Sequence, residues 1–197
     1  FKTEVEEKTD GKVTVEIYPN SQLGSDRETT ESCMMGTIEM TAPSTSVFPG
    51  FDERFYVLDL PYLFNSSEAA RNALDGDLGS KLNEYLEDLG VEALYWGESG
   101  FRNMTNNKRP ITQPADLEGL KMRVMENTYM MEAFSAWGCN PTPMAFGELF
   151  TALQEGTVDG EDNATVIVST SKFNEVQKYL SITEHIFGAN ALLINKD

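Results

Sequence analysis

Two kinds of apolar spacing take turns along this chain, and that alternation limits its possible folds more than any single motif does. In Lys12–Tyr18 (KVTVEIY), Val13, Val15 and Ile17 fall on every second residue, which predicts a strand with one buried face. Ser25 or Asp26 then offers a cap for a helix running to about Met35. Thr37–Pro43 reads as extended again and ends in the polar turn Ser44, Thr45, Ser46. A helical region from Ser66 or Ser67 to Gly90, broken near Asp75–Gly79, leads into a strand over Val91–Gly97. The second half repeats the theme. Arg102–Asn106 and Lys121–Met125 read as strands, Thr128–Trp137 as a helix ended by Gly138, and Thr142–Ala145 as a short extended piece. Gly147–Glu155 reads as a helix ended by Gly156, Ser169–Leu180 as another, and Ala189–Asn195 as a final strand. Strands alternating with helices predict an α/β chain. In such sheets ligands bind beyond the carboxyl ends of strands, which puts Asp26, Ser44, Thr45, Arg102, Asn127 and Asn163 first in line for inspection.

The two ends read as cut. Phe1–Lys8 (FKTEVEEK) has the spacing of the middle of an amphipathic helix, stopped near Gly11, and ALLINKD reads as a strand with no closing element. An unpaired sheet edge and uncovered apolar surface are therefore expected.

Of the 197 residues, 40% are hydrophobic, enough for a real core in one large domain or two small lobes. Fifteen Lys and Arg against 32 Asp and Glu give a net charge of −17, which argues against nucleic acid or an anionic membrane surface as partner. No stretch approaches the roughly 18 apolar residues of a membrane span. Cys33 and Cys139 sit among apolar neighbours and read as free core thiols.

Enzyme signatures are thin. The single histidine, His185, has no acidic or cysteine partner at a motif spacing, and no nucleophile elbow, zinc-protease, phosphate-loop or dinucleotide fingerprint occurs. Asp159–Asn163 (DGEDN) and Asp75–Asp77 lack the ligand spacing of a calcium loop, so no metal site and no cofactor are expected.

The charge reverses locally between Arg102 and Arg123. Arg102, Lys108, Arg109, Lys121 and Arg123 face only Asp116 and Glu118 there, a net +3 inside a chain of −17. In KMRVM, Lys121, Arg123 and Met125 share one strand face, so a guanidinium stands beside a methionine, as suits a half-buried cleft. A planar guanidinium grips a carboxylate with two parallel hydrogen bonds. An ordinary surface ion pair fits the same residues equally well.

Several stretches together resemble one family: EEKTDGKVTVEIYPNSQLGSDRE, LPYLF, GFRNMTNNKRPI, DLEGLKMRV, NPTPMAFGELFTALQEGTVDGEDN and SKFNEVQKYLSITEH. Their order and content are similar to the DctP-type solute-binding receptors of tripartite ATP-independent periplasmic (TRAP) transporters. The resemblance implies a two-lobed fold with hinge strands, incomplete here at both ends. Lobe I is expected over residues 1–99, with 189–197 returning to it, and lobe II over 100–188. It implies a periplasmic, monomeric receptor that hands a small organic acid (a dicarboxylate, sugar acid or keto acid) to a membrane permease, without being an enzyme. A ligand-sensing domain or an ABC-type receptor of similar fold is the alternative. By the same resemblance Arg123 pairs with the ligand carboxylate and Arg102 is a second anion contact. Phe146 packs on the ligand, Asn163 hydrogen-bonds it, and Asp26, Ser44 and Asn127 touch it. Two lobes that move also imply that Cys33 and Cys139 are unbridged. GEDN replaces the commoner GQEN, and Ser44 stands where some sialic-acid-binding relatives carry Glu.

Overall fold

The computed structural model describes all 197 residues and is framed by a six-stranded sheet in the order β1-β6-β2-β5-β3-β4. In chain order the strands are β1 (Met40–Thr41), β2 (Val91–Asn106), β3 (Lys121–Val124), β4 (Asn140–Pro143), β5 (Gly160–Ala164) and β6 (Tyr179–Asn195). The helices are α1 (Lys2–Lys8), α2 (Asp26–Met34), α3 (Ser67–Leu74), α4 (Asp77–Asp88), α5 (Thr128–Ala136), α6 (Phe146–Glu155) and α7 (Thr165–Thr170). Two 3-10 segments, Thr45–Gly50 and Glu53–Asp59, carry the chain between β1 and α3.

The helix boundaries follow their caps. Ser25 opens α2 with a capping box, its hydroxyl accepting from the Glu28 N–H while the Glu28 carboxylate takes the Ser25 N–H. Asn127 caps α5 through the Met130 N–H, and Gly156 closes α6 in the left-handed region at φ +74°. The expected break near Asp75 separates α3 from α4.

Three expectations fail, each for a physical reason, and one strand was not foreseen. Lys12–Tyr18 carries the strand pattern but makes no ladder, because no strand lies against it. It is tied down instead by side chains: the Thr9 hydroxyl accepts the Val13 N–H and Glu6 accepts the Val15 N–H. Thr37–Pro43 contracts to a two-residue strand paired on one side only, to β6. The helix read over Ser169–Leu180 does not form. α7 ends at Thr170, a 3-10 turn covers Phe173–Glu175, and β6 has begun by Tyr179. β5 is a fully buried strand made of Gly-Glu-Asp-Asn-Ala, whose composition reads as a turn because strands rarely bury carboxylates.

β2 and β6 run antiparallel along nearly their full lengths and form the spine of the molecule. Val91–Gly97 and Arg102–Asn106, read as two strands, are two parts of β2, and Ala189–Asn195 is the last part of β6. The register slips at Ala93/Tyr95, Glu98/Gly100 and Arg102/Met104. At the last slip Glu184 takes φ +46°, and Asn103 Oδ1 accepts both the Thr183 and Glu184 N–H groups. Gly188 crosses so close to the partner strand that a Cβ there would meet the Gly100 carbonyl oxygen at 2.9 Å.

The larger core, 25 buried residues, is continuous from Cys33 and Phe48 through Met122 and Phe134 to Leu193. It therefore crosses the boundary expected between residues 99 and 100. A smaller core of six residues, including Leu149, Leu153 and Phe173, lies under α6 and α7. Cys33 and Cys139 are both buried free thiols. Burial pushes the Cys33 thiol up to about 11 and the Cys139 thiol up to about 12.

Candidate functional site

β3, β4 and β5 run parallel to one another, and their carboxyl ends open on one small cavity. Arg123 and Met125 reach it from the end of β3, Phe146 from the first turn of α6 after β4, and Asn163 from the end of β5. Arg102 enters from β2. Asp26 and Ser44 face these residues from α2 and the loop after β1, where an isolated bridge joins Ser44 to Asn190. The cavity holds about 180 Å³, below the roughly 300–1,000 Å³ of drug-sized ligand pockets, which suits a small metabolite. Two larger cavities, of about 360 and 390 Å³, are lined by no lysine or arginine.

Arg123 is 1% exposed and makes no ion pair with any carboxylate. Its Nε and Nη2 donate to the Met144 carbonyl oxygen at 2.9 and 2.7 Å, which fixes the plane of the guanidinium. Burial, and next the like charge of Arg102, lower it to about 10, so it stays charged at neutral pH. A buried cation without an anion is costly, so this arrangement favours an anionic visitor.

Arg102 is held differently. Its Nε pairs with Asp162 Oδ2 and its Nη2 donates to the Asp162 carbonyl oxygen, while Nη1 lies 3.9 Å from Met125 Sδ. Burial alone would raise the Asp162 carboxyl; Arg102 and His185 outweigh it and hold the group well below the usual range. His185 Nε2 stands 3.3 Å from the same Asp162 oxygen, its Nδ1 is 2.8 Å from the Thr183 hydroxyl, and its ring packs edge-on against Phe134 and Trp137. The lone histidine, which has no acidic partner at a motif spacing in sequence, is thus a buried member of this network.

Asp26 accepts the Ser44 N–H at 3.0 Å, and burial raises its pKa against the pull of that bond and of Arg123. Asn163 gives its Nδ2 to Glu161 Oε2 at 2.6 Å, and Glu161 Oε1 accepts from the Thr105 hydroxyl at 2.7 Å. Phe146 is 40% exposed, with its ring 5.8 Å from that of Phe173.

Six of the seven residues singled out from sequence line this cavity: Arg123, Arg102, Asn163, Phe146, Asp26 and Ser44. Asn127 does not. Its Oδ1 caps α5 and its Nδ2 donates to the Ser46 carbonyl and to Asp59 Oδ2, so its polar atoms are engaged away from the cavity. With Met125, the residues Ala42, Ser99, Ile167, Gly188 and Asn190 complete the lining, and these five carry no signal by which sequence reading could have found them. Of the five cations in the locally positive segment only Arg102 and Arg123 reach the cavity. Lys108 pairs with Asp159, Arg109 holds the backbone of Asp116 and Glu118, and Lys121 is exposed.

The whole chain, residues 1–197, matches the family model described as bacterial extracellular solute-binding protein, family 7. A solute-binding protein of Verminephrobacter eiseniae is 43% identical over 196 residues, which is 100% of this chain and 58% of that protein. The C4-dicarboxylate-binding periplasmic protein DctP of Rhodobacter capsulatus is 40% identical over 197 residues, 100% of this chain and 59% of the relative. A solved TRAP periplasmic solute-binding protein from Polaromonas sp. JS666, bound to D-erythronate, matches with a TM-score of 0.95 at 43% identity. That match covers 98% of this chain and 64% of the other. The chain thus spans about three fifths of the length of the relatives it matches. No helix is long and apolar enough to cross a membrane. With its full length inside the family model and its buried arginine at the shared strand ends, the chain belongs to the DctP family of bacterial extracellular solute-binding proteins.

Proposed function

We propose that this chain captures a small organic carboxylate outside the cytoplasm and presents it to the membrane permease of a TRAP-type transporter, binding the acid without transforming it. The observation that carries this reading is Arg123: a fixed guanidinium, 1% exposed and free of any protein carboxylate, at the end of a small cavity. Its fork can donate to both oxygens of a ligand carboxylate, while Phe146 offers an apolar wall and Ser44, Asn163 and Asn190 offer polar selection. The binding of D-erythronate by the Polaromonas protein and the C4-dicarboxylate name of the Rhodobacter relative support a carboxylate as ligand. In this reading residues 1–99 with 189–197 and residues 100–188 act as two lobes, and a ligand favours their closed form by its differential affinity for it.

The test is titration calorimetry with a panel of organic acids on the wild-type chain and on Arg123→Ala and Arg123→Lys. Loss of one partner of a buried charge pair costs about 2–5 kcal/mol, roughly 30- to 5,000-fold in affinity. Arg123→Lys is expected to bind poorly too, because the two-pronged donor is lost. Near-normal affinity in Arg123→Ala would remove the arginine from the site.

A further inference from the structure

We infer that this cavity is built for a monocarboxylate carrying hydroxyl groups and built against a dicarboxylate, with Glu161 acting as a positioning residue for the hydroxyl-reading Asn163. The inference rests on the carboxylate-capture reading above and narrows it.

The charges facing the cavity come first. Its lining holds two cations, Arg102 and Arg123, and one acid, Asp26. Arg102 is already neutralised by its pair with Asp162, which is 0% exposed and lies behind the lining. One cation without an ion-pair contact remains, Arg123, and its fork serves one carboxylate. Across the cavity stands Asp26, whose Oδ2 is engaged by the Ser44 N–H and whose Oδ1 has no protein donor. A second ligand carboxylate reaching that side would meet a like charge in a poorly solvated place, whereas a hydroxyl would meet an acceptor.

The polar atoms point the same way. Both Glu161 carboxyl oxygens accept, Oε1 from the Thr105 hydroxyl and Oε2 from Asn163 Nδ2, and the second bond turns the Asn163 amide nitrogen toward Glu161. The Asn163 oxygen has no protein donor and is the atom left to the cavity that Asn163 lines. Glu161 is itself anchored by the Thr105 hydroxyl on β2 and does not line the cavity. Two acceptors, Asp26 Oδ1 and Asn163 Oδ1, thus call for donors on the ligand, and the donors an organic acid carries are its hydroxyls.

Calorimetry on the full chain with matched probes tests this. The four-carbon set is 2,3,4-trihydroxybutanoate, butanoate and succinate; the six-carbon set is gluconate, hexanoate and adipate. The polyhydroxy acid of at least one set is expected to bind about tenfold or more tighter than both other members. Asp26→Asn, whose amide oxygen can keep the Ser44 bond, is expected to narrow the gap to the diacid about tenfold. Glu161→Met is expected to lower the preference for the polyhydroxy acid over the plain acid about 5- to 10-fold, and Glu161→Gln, which keeps an acceptor for Asn163, to restore it. A role for Glu161 in folding alone would move all three affinities together and leave that ratio unchanged. Diacid binding equal to or tighter than the polyhydroxy acid would overturn the inference and leave carboxylate capture standing. Binding of none of the six acids would overturn carboxylate capture, and the inference with it.

Discussion

Asp162 decides how the positive end of the cavity is arranged, because it leaves Arg102 compensated and Arg123 not. Asp162→Asn strands a buried guanidinium and is expected to destabilise the fold by about 3–5 kcal/mol, read as a lowered urea midpoint. Asp162 is held below its ordinary value of 3.8, so its contribution is present above that pH and is lost as the pH falls further. Asp59 and Glu161 act in the opposite sense. Burial, only partly offset by hydrogen bonds from Ser46 and Asn127, raises Asp59 to about 6; burial likewise raises Glu161 to about 7, against bonds from Thr105 and Asn163. Between the ordinary carboxylate range and pH 7 the folded chain keeps protons that the unfolded chain releases. Stability is therefore expected to fall as pH rises from 4.5 to about 7, by at most about 1.4 kcal/mol per pH unit for each group. Urea midpoints across that interval check this, and Asp59→Asn and Glu161→Gln are expected to flatten the slope. Strand alternation in KMRVM put the Arg123 guanidinium beside a methionine, which fitted a surface ion pair equally well, and the family resemblance singled it out. Neither Glu161 nor Asp162 was legible. A run of Gly-Glu-Asp-Asn looks like a solvated turn, and only the ladder with β2 shows that each carboxylate meets a partner from another strand.

At the scale of elements, Asn127 joins three pieces: the end of β3, the start of α5 and the 3-10 segments around Ser46 and Asp59. Asn127→Ala removes a helix cap and one of the donors to a buried carboxylate, so a loss of about 2–3 kcal/mol is expected in urea unfolding. Asn127→Ser can keep the cap but cannot span to Asp59, and is expected to recover only part of that loss. Helices were the more legible elements, since Ser25, Gly138 and Gly156 mark limits in the sequence itself, whereas the Asn127 cap emerged only in the structure. Strands were less so, because a strand needs a neighbour as well as a pattern. Lys12–Tyr18 has the alternation and no partner, whereas β5 has partners on both sides and no alternation of polarity. The long reach of β6 was hidden for a related reason. Its first residues, Tyr179–Ser181, pair with β2 beyond a bulge that Asn103 holds open, a contact between residues some 80 positions apart.

Over the whole molecule, the burial of Arg123 separates the speed of ligand arrival from the strength of ligand retention. An anion approaching from a distance meets a body of net charge −17 and is repelled; only inside the cavity does it meet the guanidinium. Added salt shortens the reach of the outer repulsion to about 8 Å at 0.15 M and less at higher concentrations, while the buried pair is shielded far less. Stopped-flow association rates for an organic acid are therefore expected to rise with ionic strength, with dissociation nearly constant. Receptors that draw their ligands in by opposite charge show the reverse trend. For this chain a salty medium would be the one in which it fills fastest.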